Sequence, residues 1–122
     1  MITINKTSRE FDEVEQYLMT VSPAIKSMKD VADGTKITVA GTLEFTDTKD
    51  NGDSVDILSI ITPDGEVYSC QSTTFKRSLA NIANIMHDKE FTIIKTSGKT
   101  KADRPYIDCQ LDISSIKKTG KK

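Results

Sequence analysis

The first part of the chain has the periodicity of an amphipathic helix. In residues 8–20, the apolar side chains Phe11, Val14 and Leu18 recur at spacings of three and four residues, which places them on one face of a helix. Acidic residues fill the first turns of this segment, where the partial positive charge at a helix N-terminus stabilises them. We therefore predict a helical N-terminal extension over residues 1–32.

From Asp33 onward the apolar positions change to a period of two, which is typical of β-strands. The segments concerned show either alternation or a short, continuous apolar run between turn signals. The predicted strands are residues 35–46, 54–62, 66–72, 90–96 and 106–113. Between the third and fourth strands, apolar residues at helical spacing predict a helix over residues 75–88. The predicted order of this region is therefore β-β-β-α-β-β.

The long first strand suggests how these elements close on one another. Gly41 lies in its middle, and a glycine at such a position usually marks a bulge or a sharp bend. A bent strand can pair at both of its ends, so that a small barrel forms and the helix plugs one end of it. We therefore predict an all-β fold with one plug helix: a five-stranded barrel of the oligonucleotide/oligosaccharide-binding (OB) type over residues 33–116, behind the helical extension. An α+β roll, in which the same strands stay open, is the alternative.

Composition and charge limit the possible functions. The chain has 122 residues, of which 36% are apolar, enough for one domain with a modest core. Its net charge is only −1, but residues 1–72 carry −7 and residues 73–122 carry +6. Residues 117–122 are mostly lysine and are predicted to form a basic, disordered tail. If the basic residues share one face, that face can hold phosphate groups; if they are dispersed, it cannot.

The residues that carry enzyme chemistry do not occur in recognisable motifs. His87 is the only histidine and has no cysteine or second histidine at metal-ligand spacing. The aspartates Asp47, Asp50 and Asp53 do not follow the alternate-position pattern of a calcium loop. No glycine-rich phosphate loop or serine-elbow motif occurs either. We therefore expect no enzymatic activity, no metal and no cofactor.

The chain has the features of a cytoplasmic protein. Cys70 and Cys109, the only cysteines, are too few for the disulfide framework of a small secreted protein. No apolar run reaches the ~18 residues that a membrane-spanning helix needs, and the first residues lack the pattern of a secretory signal. We expect free thiols, a cytoplasmic location and no membrane partner.

A basic loop after the fourth predicted strand is the first candidate for a binding site. It carries Lys95, Lys99, Lys101 and Arg104 within ten residues, and Tyr106 follows at once. Flexible cations of this kind suit the phosphates of a single nucleic-acid strand. Alternation in the last strand places Tyr106 on the face opposite the apolar side chains, where it could stack on a base and contribute ~1–3 kcal/mol. The alternative is a surface tyrosine that packs on a lysine stem.

Two further aromatic residues are candidates for stacking. Tyr68 lies on the third predicted strand, and Phe45 lies at the end of the first. Straight alternation puts Phe45 on the same face as Leu43 and therefore in the core. Only a bulge near Gly41, or a change of face at the strand end, would expose its ring.

Short sequence strings add a family resemblance. DGTKI precedes the first predicted strand, PDGEVYS marks the turn into the third, and a basic, glycine-containing loop leads to an aromatic residue and a last strand with LDIS. Over roughly residues 31–114, this order resembles the small single-stranded-DNA-binding proteins of phages that prime replication with a terminal protein, the phi-twenty-nine-like group. The resemblance implies an OB fold that coats displaced strands without sequence preference, in the cytoplasm of the host bacterium.

The resemblance also bears on individual residues. Phe45, in TLEFTDT, and Tyr68, in GEVYSCQS, match positions where aromatic side chains of that family stack bases. In relatives, the loop between the first two strands can carry an aromatic residue, but this chain has Asp50, Asn51 and Gly52 there. That loop is therefore acidic and lacks one stacking platform.

Two functions follow as hypotheses. The first is non-specific binding of single-stranded DNA during phage DNA replication, with lysine and arginine contacts to phosphates, aromatic stacking on bases, and replication proteins as further candidate partners. The alternative is an OB-fold protein-interaction module, such as a phage factor that binds a host protein. The acidic first half and the amphipathic segment 8–20 favour the second hypothesis, because this segment can either pack on the domain or present a surface to a partner.

Overall fold

The computed structural model describes residues 1–87 and 89–114. This part of the chain is mostly β-structure with two α-helices, and the strands form two sheets. The elements are β1 (Ile2–Thr7), α1 (Glu13–Thr20), β2 (Lys26–Ser27), a 3₁₀ turn (Met28–Asp30), β3 (Lys36–Val39), β4 (Gly41–Thr48), β5 (Ser54–Ile61), β6 (Val67–Cys70), α2 (Thr73–Ile85), β7 (Phe91–Lys99) and β8 (Pro105–Leu111).

The larger sheet has the order β1-β4-β5-β6-β2, and the smaller sheet has the order β3-β7-β8. Neighbouring strands are antiparallel, except that β2 runs parallel to β6. Because only Ala40 separates β3 from β4, the chain passes directly from the smaller sheet into the larger one. The two sheets are therefore joined along one side by the backbone itself.

Gly41 is the residue that permits this passage. A Cβ atom at position 41 would lie 2.7 Å from Cζ and 2.9 Å from Cε1 of Phe11, closer than carbon atoms can approach without displacement. The absence of a side chain thus lets the Phe11 ring lie on the backbone where the first predicted strand divides into β3 and β4. The interruption that the sequence predicts at Gly41 is confirmed.

The main core lies between the two sheets and is closed by α2. It includes Leu58 and Ile60 from the larger sheet, and these alternate positions on β5 point to one face. The other buried members are Met28, Ile37, Val39, Cys70, Phe75, Leu79, Phe91, Ile93 and Cys109. Burial of each large apolar side chain contributes ~1.5–3 kcal/mol, so this cluster supplies most of the stabilisation that joins the sheets to α2.

A second core cluster covers the opposite face of the larger sheet. Its buried members are Phe11, Met19, Leu43, Phe45, Ile61 and Val67. Helix α1 lies over this face, and Ser59 of β5 donates a hydrogen bond from its hydroxyl to the Met19 carbonyl. The larger sheet is therefore packed on both faces along β5 and β6.

The N-terminal segment differs from the predicted helical extension over residues 1–32, because it begins with strand β1. The helix starts later than expected, because Asp12 and not Ser8 is its N-cap. The Asp12 carboxylate accepts from the Glu15 backbone N–H at 2.8 Å, and the Glu15 carboxylate accepts from the Asp12 N–H at 3.1 Å. Ser8 instead accepts a hydrogen bond from the Thr42 backbone N–H at 2.9 Å, which ties it to β4.

The broad prediction of a mostly β fold with a helix between the third and fourth predicted strands is confirmed. The predicted count of five strands is exceeded, because β1 and β2 join the larger sheet and the first strand is divided. In residues 1–87 and 89–114, no ladder joins β6 to β8, so these strands do not form a closed barrel. The predicted tail over residues 117–122, the end of the predicted domain at residue 116 and the predicted helix end at residue 88 lie outside the described residues.

Candidate functional site

A groove opens where the two sheets are not joined. It has a volume of about 680 Å³ and lies between the β2–β6 edge of the larger sheet and the β7–β8 hairpin of the smaller one. The polar and aromatic side chains along it are Ser27, Lys29, Ser69, Gln71, Lys95, Ser97 and Tyr106. At one end, the Ser72 hydroxyl donates to the Ile107 carbonyl at 3.3 Å and so links the strand edges. The groove is thus lined mainly by groups that can hydrogen-bond a ligand.

Tyr106 lies in this groove on a glycine of the neighbouring strand. Gly98 pairs with Tyr106 across the β7–β8 ladder, and a Cβ atom at position 98 would lie 2.7 Å from Oη and 2.8 Å from Cζ of Tyr106. The ring therefore rests directly on the Gly98 backbone, and Tyr106 is still 37% exposed. A ring that is supported by a strand and open to solvent has the geometry of a stacking platform.

Three of the four predicted cations lie on the hairpin beside this ring. Lys99, Lys101 and Arg104 are exposed at its tip, where the Thr100 N–H donates to the Arg104 carbonyl at 2.9 Å. Lys99 lies 3.6 Å from the Asp103 carboxylate, but such a surface pair is worth little and opens readily. The hairpin tip therefore carries exposed positive charge, but none of these three residues lines the groove. Lys99 pairs with Pro105 and so projects from the face opposite to that of Tyr106.

Lys95 behaves differently from these three and corrects the prediction of a flexible surface cation. It is only 4% exposed, and its Nζ donates to Oδ1 of Asp33 at 3.1 Å. The Ser97 hydroxyl donates to the other carboxylate oxygen of Asp33. These two donors, Ser97 first and Lys95 second, lower the pKa of Asp33. Lys95 is held in the groove wall because its position alternates with those of the buried Phe91 and Ile93.

Phe45 does not contribute to the groove, which corrects its assignment as a site residue. Its ring is 2% exposed and belongs to the cluster beneath α1. On β4 it alternates with the buried Leu43 and pairs with Ile57 of β5, so the strand keeps its face beyond Gly41. The ring cannot stack on a base without opening the core.

Tyr68 lies on a different side of the molecule from Tyr106. Its ring packs partly against the main core, its hydroxyl donates to Glu66 at 3.2 Å, and Lys26 Nζ lies 5.6 Å from the ring centroid. Burial, followed by the Glu66 contact, raises the pKa of Tyr68. It lines a separate cleft with Lys36 and other residues, so the structure does not bring the two predicted tyrosines onto one surface.

The sequence reasoning missed the groove residues that come from the N-terminal segment. The β2–β6 pairing aligns Ser27 with Ser69 and so brings Ser27 and Lys29 into the groove wall. A strand of two residues leaves no periodic signal that could have revealed it. Asp33 was missed for another reason, because the sequence marked it only as the point where the period of the apolar positions changes.

Two further features of the described residues concern the cysteines and the potential metal ligands. Cys70 and Cys109 are buried, unbridged thiols, and burial raises their pKa values to about 11 and about 12, which disfavours the reactive thiolate at neutral pH. In residues 1–87 and 89–114, no group of three potential ligands could hold a metal ion. None of the helices in these residues is long and apolar enough to cross a membrane.

Comparison of the chain with protein-family models, with curated proteins and with solved structures gave no match.

Proposed function

We propose that the protein binds single-stranded DNA without sequence preference, along the groove between the β2–β6 edge and the β7–β8 hairpin. The observation that carries this proposal is the Tyr106 ring, which rests on Gly98 in a hairpin whose tip carries three exposed cations. Tyr106 itself is among the residues that line the groove. Stacking of one base on such a ring contributes ~1–3 kcal/mol whichever base is present. Lysine and arginine contacts to phosphates are equally independent of sequence.

The strand pairing supports a partly open OB arrangement as the finer description of the fold. If β3 and β4 are treated as one bent strand, the order of pairing is β6, β5, the bent strand, β7 and β8. Helix α2 follows β6, which is the third of these strands in chain order. Barrels of this type bind oligonucleotides on the second and third strands and the adjoining loops. Because α1 packs on the outer face of β5 and β6 here, a ligand is left the groove between the β2–β6 edge and the hairpin.

The biological role that we propose is protection of displaced strands during phage DNA replication in the cytoplasm of the host bacterium, with replication proteins as further partners. The family resemblance of residues 31–114 supports this role, and it agrees with a site whose contacts are stacking and charge and do not read base edges. The proposal includes no enzymatic step and no cofactor.

Fluorescence anisotropy with labelled oligo-dT tests the proposal. We expect binding that weakens with salt, with a slope in log K against log salt of ~0.7 for each phosphate contact on a single strand. A hairpin duplex of the same charge should bind more weakly, because its bases are not free to stack on Tyr106. Absence of oligo-dT binding at low salt would contradict the proposal.

A charge-matched pair of variants tests the position of the site. Lys99→Ala with Lys101→Ala removes two hairpin cations and should reduce the salt slope by up to ~0.7 for each phosphate that these lysines neutralise in the wild type. Lys49→Ala with Lys89→Ala removes the same charge from exposed positions outside the β7–β8 hairpin. If both double variants change the slope equally, binding does not depend on the hairpin.

One observation favours the alternative, a protein-interaction module. Val14, Tyr17 and Val21 lie three and four residues apart along α1 and are 66%, 51% and 56% exposed, an apolar stripe that is not needed for packing on the sheet. A pulldown from host lysate distinguishes the hypotheses. A stoichiometric partner that is lost in Tyr17→Ala, in a protein that shows no oligo-dT binding, would favour the interaction module.

A further inference from the structure

The ion pair between the buried Lys95 and the exposed Asp33 resembles an anion site that the protein fills with one of its own side chains. We propose that Lys95 and Ser97 form a phosphate-binding subsite, which the Asp33 carboxylate occupies in the free protein and a phosphate of the bound strand occupies in the complex. This inference rests on the proposed function and names a contact within the same groove.

The donors of this subsite are arranged side by side. Lys95 and Ser97 are alternate residues of β7 and so lie on one face of the strand, and both line the groove. The ammonium donates to one oxygen of Asp33 at 3.1 Å, and the hydroxyl donates to the other oxygen. A phosphodiester has two terminal oxygens that can accept from the same two donors.

The two members of the ion pair differ strongly in burial. The Lys95 side chain is 5% exposed, whereas the Asp33 side chain is 57% exposed. The buried Lys95 ammonium needs a counter-ion because its desolvation is costly. The exposed Asp33 carboxylate, in contrast, can be hydrated equally well when its side chain points away from Lys95. Lys95 is therefore the fixed part of the site, and the identity of its anion is open to exchange.

The backbone around Asp33 allows this exchange without local unfolding. The Gly34 N–H donates to the Lys95 carbonyl at 2.8 Å, and the Lys95 N–H donates to the Thr35 carbonyl at 2.9 Å. These bonds hold the turn on β7 whichever way the Asp33 side chain points. Rotation of that side chain toward solvent would leave the two donors facing the groove, with Lys29 also present in its lining.

The surface pair of Lys99 and Asp103 provides a contrast. Their side chains are 67% and 81% exposed, so Lys99 can meet a phosphate without any loss of burial, and Asp103 does not block it. At Lys95, the Asp33 carboxylate occupies the position that a ligand phosphate would need. Lys95 is the only described residue of the groove at which an acidic side chain does so.

Asp33→Asn tests the inference, because it removes the competing charge and keeps a side chain of similar size. In oligo-dT titrations we expect this variant to bind about threefold to tenfold more tightly than the wild type, the range of one additional hydrogen bond of ordinary net strength. Its salt slope should be steeper by ~0.7. Asp64→Asn makes the same charge change at an exposed turn that borders a different cleft and should leave the affinity nearly unchanged.

The double variant Asp33→Asn with Lys95→Met identifies the donor and should lose the whole gain. Urea unfolding shows whether each variant is folded, and Asp33→Ser replaces Asp33→Asn if the latter is not. Equal affinities for Asp33→Asn, Asp64→Asn and the wild type would overturn the subsite while the proposed function stands. A wild type without oligo-dT binding would instead overturn the proposed function.

A second experiment distinguishes the two possible ligands of the subsite, a phosphate of a DNA strand and free inorganic phosphate. Inorganic phosphate at millimolar concentration, added to Asp33→Asn, should shift the backbone amide resonances of Lys95 and Ser97 only weakly compared with oligo-dT. A full shift with inorganic phosphate alone would show that the subsite takes free phosphate, and it would overturn the assignment to a strand.

Discussion

The two sides on which the sheets approach each other are built differently. On one side the chain runs from β3 through Ala40 into β4. The Phe11 ring also lies on Gly41 there, so closely that a Cβ atom at position 41 would be 2.7 Å from the ring. On the other side, in the described part of the chain, the sheets share no ladder between β6 and β8, and the groove lies between them. One side is closed by the covalent chain and by apolar contacts. The other side stays open, and polar side chains line it.

This difference separates the residues that hold the fold from those that could bind a ligand. The closed side contains buried aromatic rings whose replacement should reduce stability. The open side contains Tyr106 and exposed cations, whose replacement should affect binding and leave the fold intact. The following predictions use that separation.

The largest expected effect is on the closed side, at Phe45. Phe45→Ala removes a ring that is 2% exposed and should lower the free energy of unfolding by ~3–5 kcal/mol, as is usual for a buried phenylalanine. Urea unfolding followed by circular dichroism measures this change. Phe45→Leu should keep the fold and the affinity for oligo-dT; if it is stable but loses binding, Phe45 has a direct role in the site after all.

The next effect is expected at Gly41. Gly41→Ala places a methyl group against the Phe11 ring and should lower stability by ~1–3 kcal/mol through overpacking. The clash predicts non-additivity: in Gly41→Ala with Phe11→Leu, the loss should be smaller than the sum of the two single losses. Additive losses in urea unfolding would show that the contact does not limit this position.

On the open side, Tyr106→Ala should weaken oligo-dT binding by ~1–3 kcal/mol and leave the salt slope nearly unchanged. Stability should change by no more than about 0.5 kcal/mol, as for other exposed positions. Gly98→Ala should reduce binding as well, because its methyl group would occupy the place of the Tyr106 ring.

Tyr17→Ala is the matched control for the removal of a tyrosine, since Tyr17 is 51% exposed on α1 and does not line the groove. Loss of oligo-dT binding in Tyr17→Ala, together with normal binding in Tyr106→Ala, would move the site from the groove to the helix.

The smallest effect concerns the two cysteines and pH. Burial raises the pKa of Cys70 to about 11 and that of Cys109 to about 12, above the ~8.5 of an unfolded thiol. Their contribution to stability is therefore complete below pH ~8.5 and is lost as the pH rises through the folded pKa values. Urea midpoints at several alkaline pH values, compared between the wild type and Cys109→Ala, measure this loss.

Thiol reactivity adds a readout that differs between the two regions. At pH 8 both thiols should react slowly with a disulfide reagent in the native protein and rapidly in urea. Because Cys70 lines the groove and Cys109 does not, bound oligo-dT should slow the reaction of Cys70 further. Rapid reaction of the native protein at pH 8 would contradict the burial of both side chains.

Much of the fold could be predicted from alternation, and the limits of alternation are visible at single residues. The predicted bounds of the strands with long apolar runs agree closely with the observed bounds, because burial of one face imposes a period of two. The same rule puts Phe45 in the core, where the structure has it. Lys95 was assigned to the surface on chemical type alone, although it alternates with the buried Phe91 and Ile93.

The groove could be predicted only in part. The hairpin is formed by neighbouring residues of the chain, so the sequence already shows that its cations and Tyr106 belong to one local element. The opposite wall depends on the β2–β6 pairing, which joins residues about forty positions apart through only two residues per strand. A pairing of this length is decided by tertiary packing and leaves no pattern in the sequence.

The division of the first strand also has a consequence for how the chain folds. Its first half must find residues 91–94, and its second half must find both the N-terminal strand and residues 54–61. Such a high contact order predicts folding in milliseconds to seconds. Because β8 follows the other described strands in the chain and supplies Cys109 to the main core as well as one wall of the groove, the hydrophobic interior and the groove are completed by the same last step of synthesis.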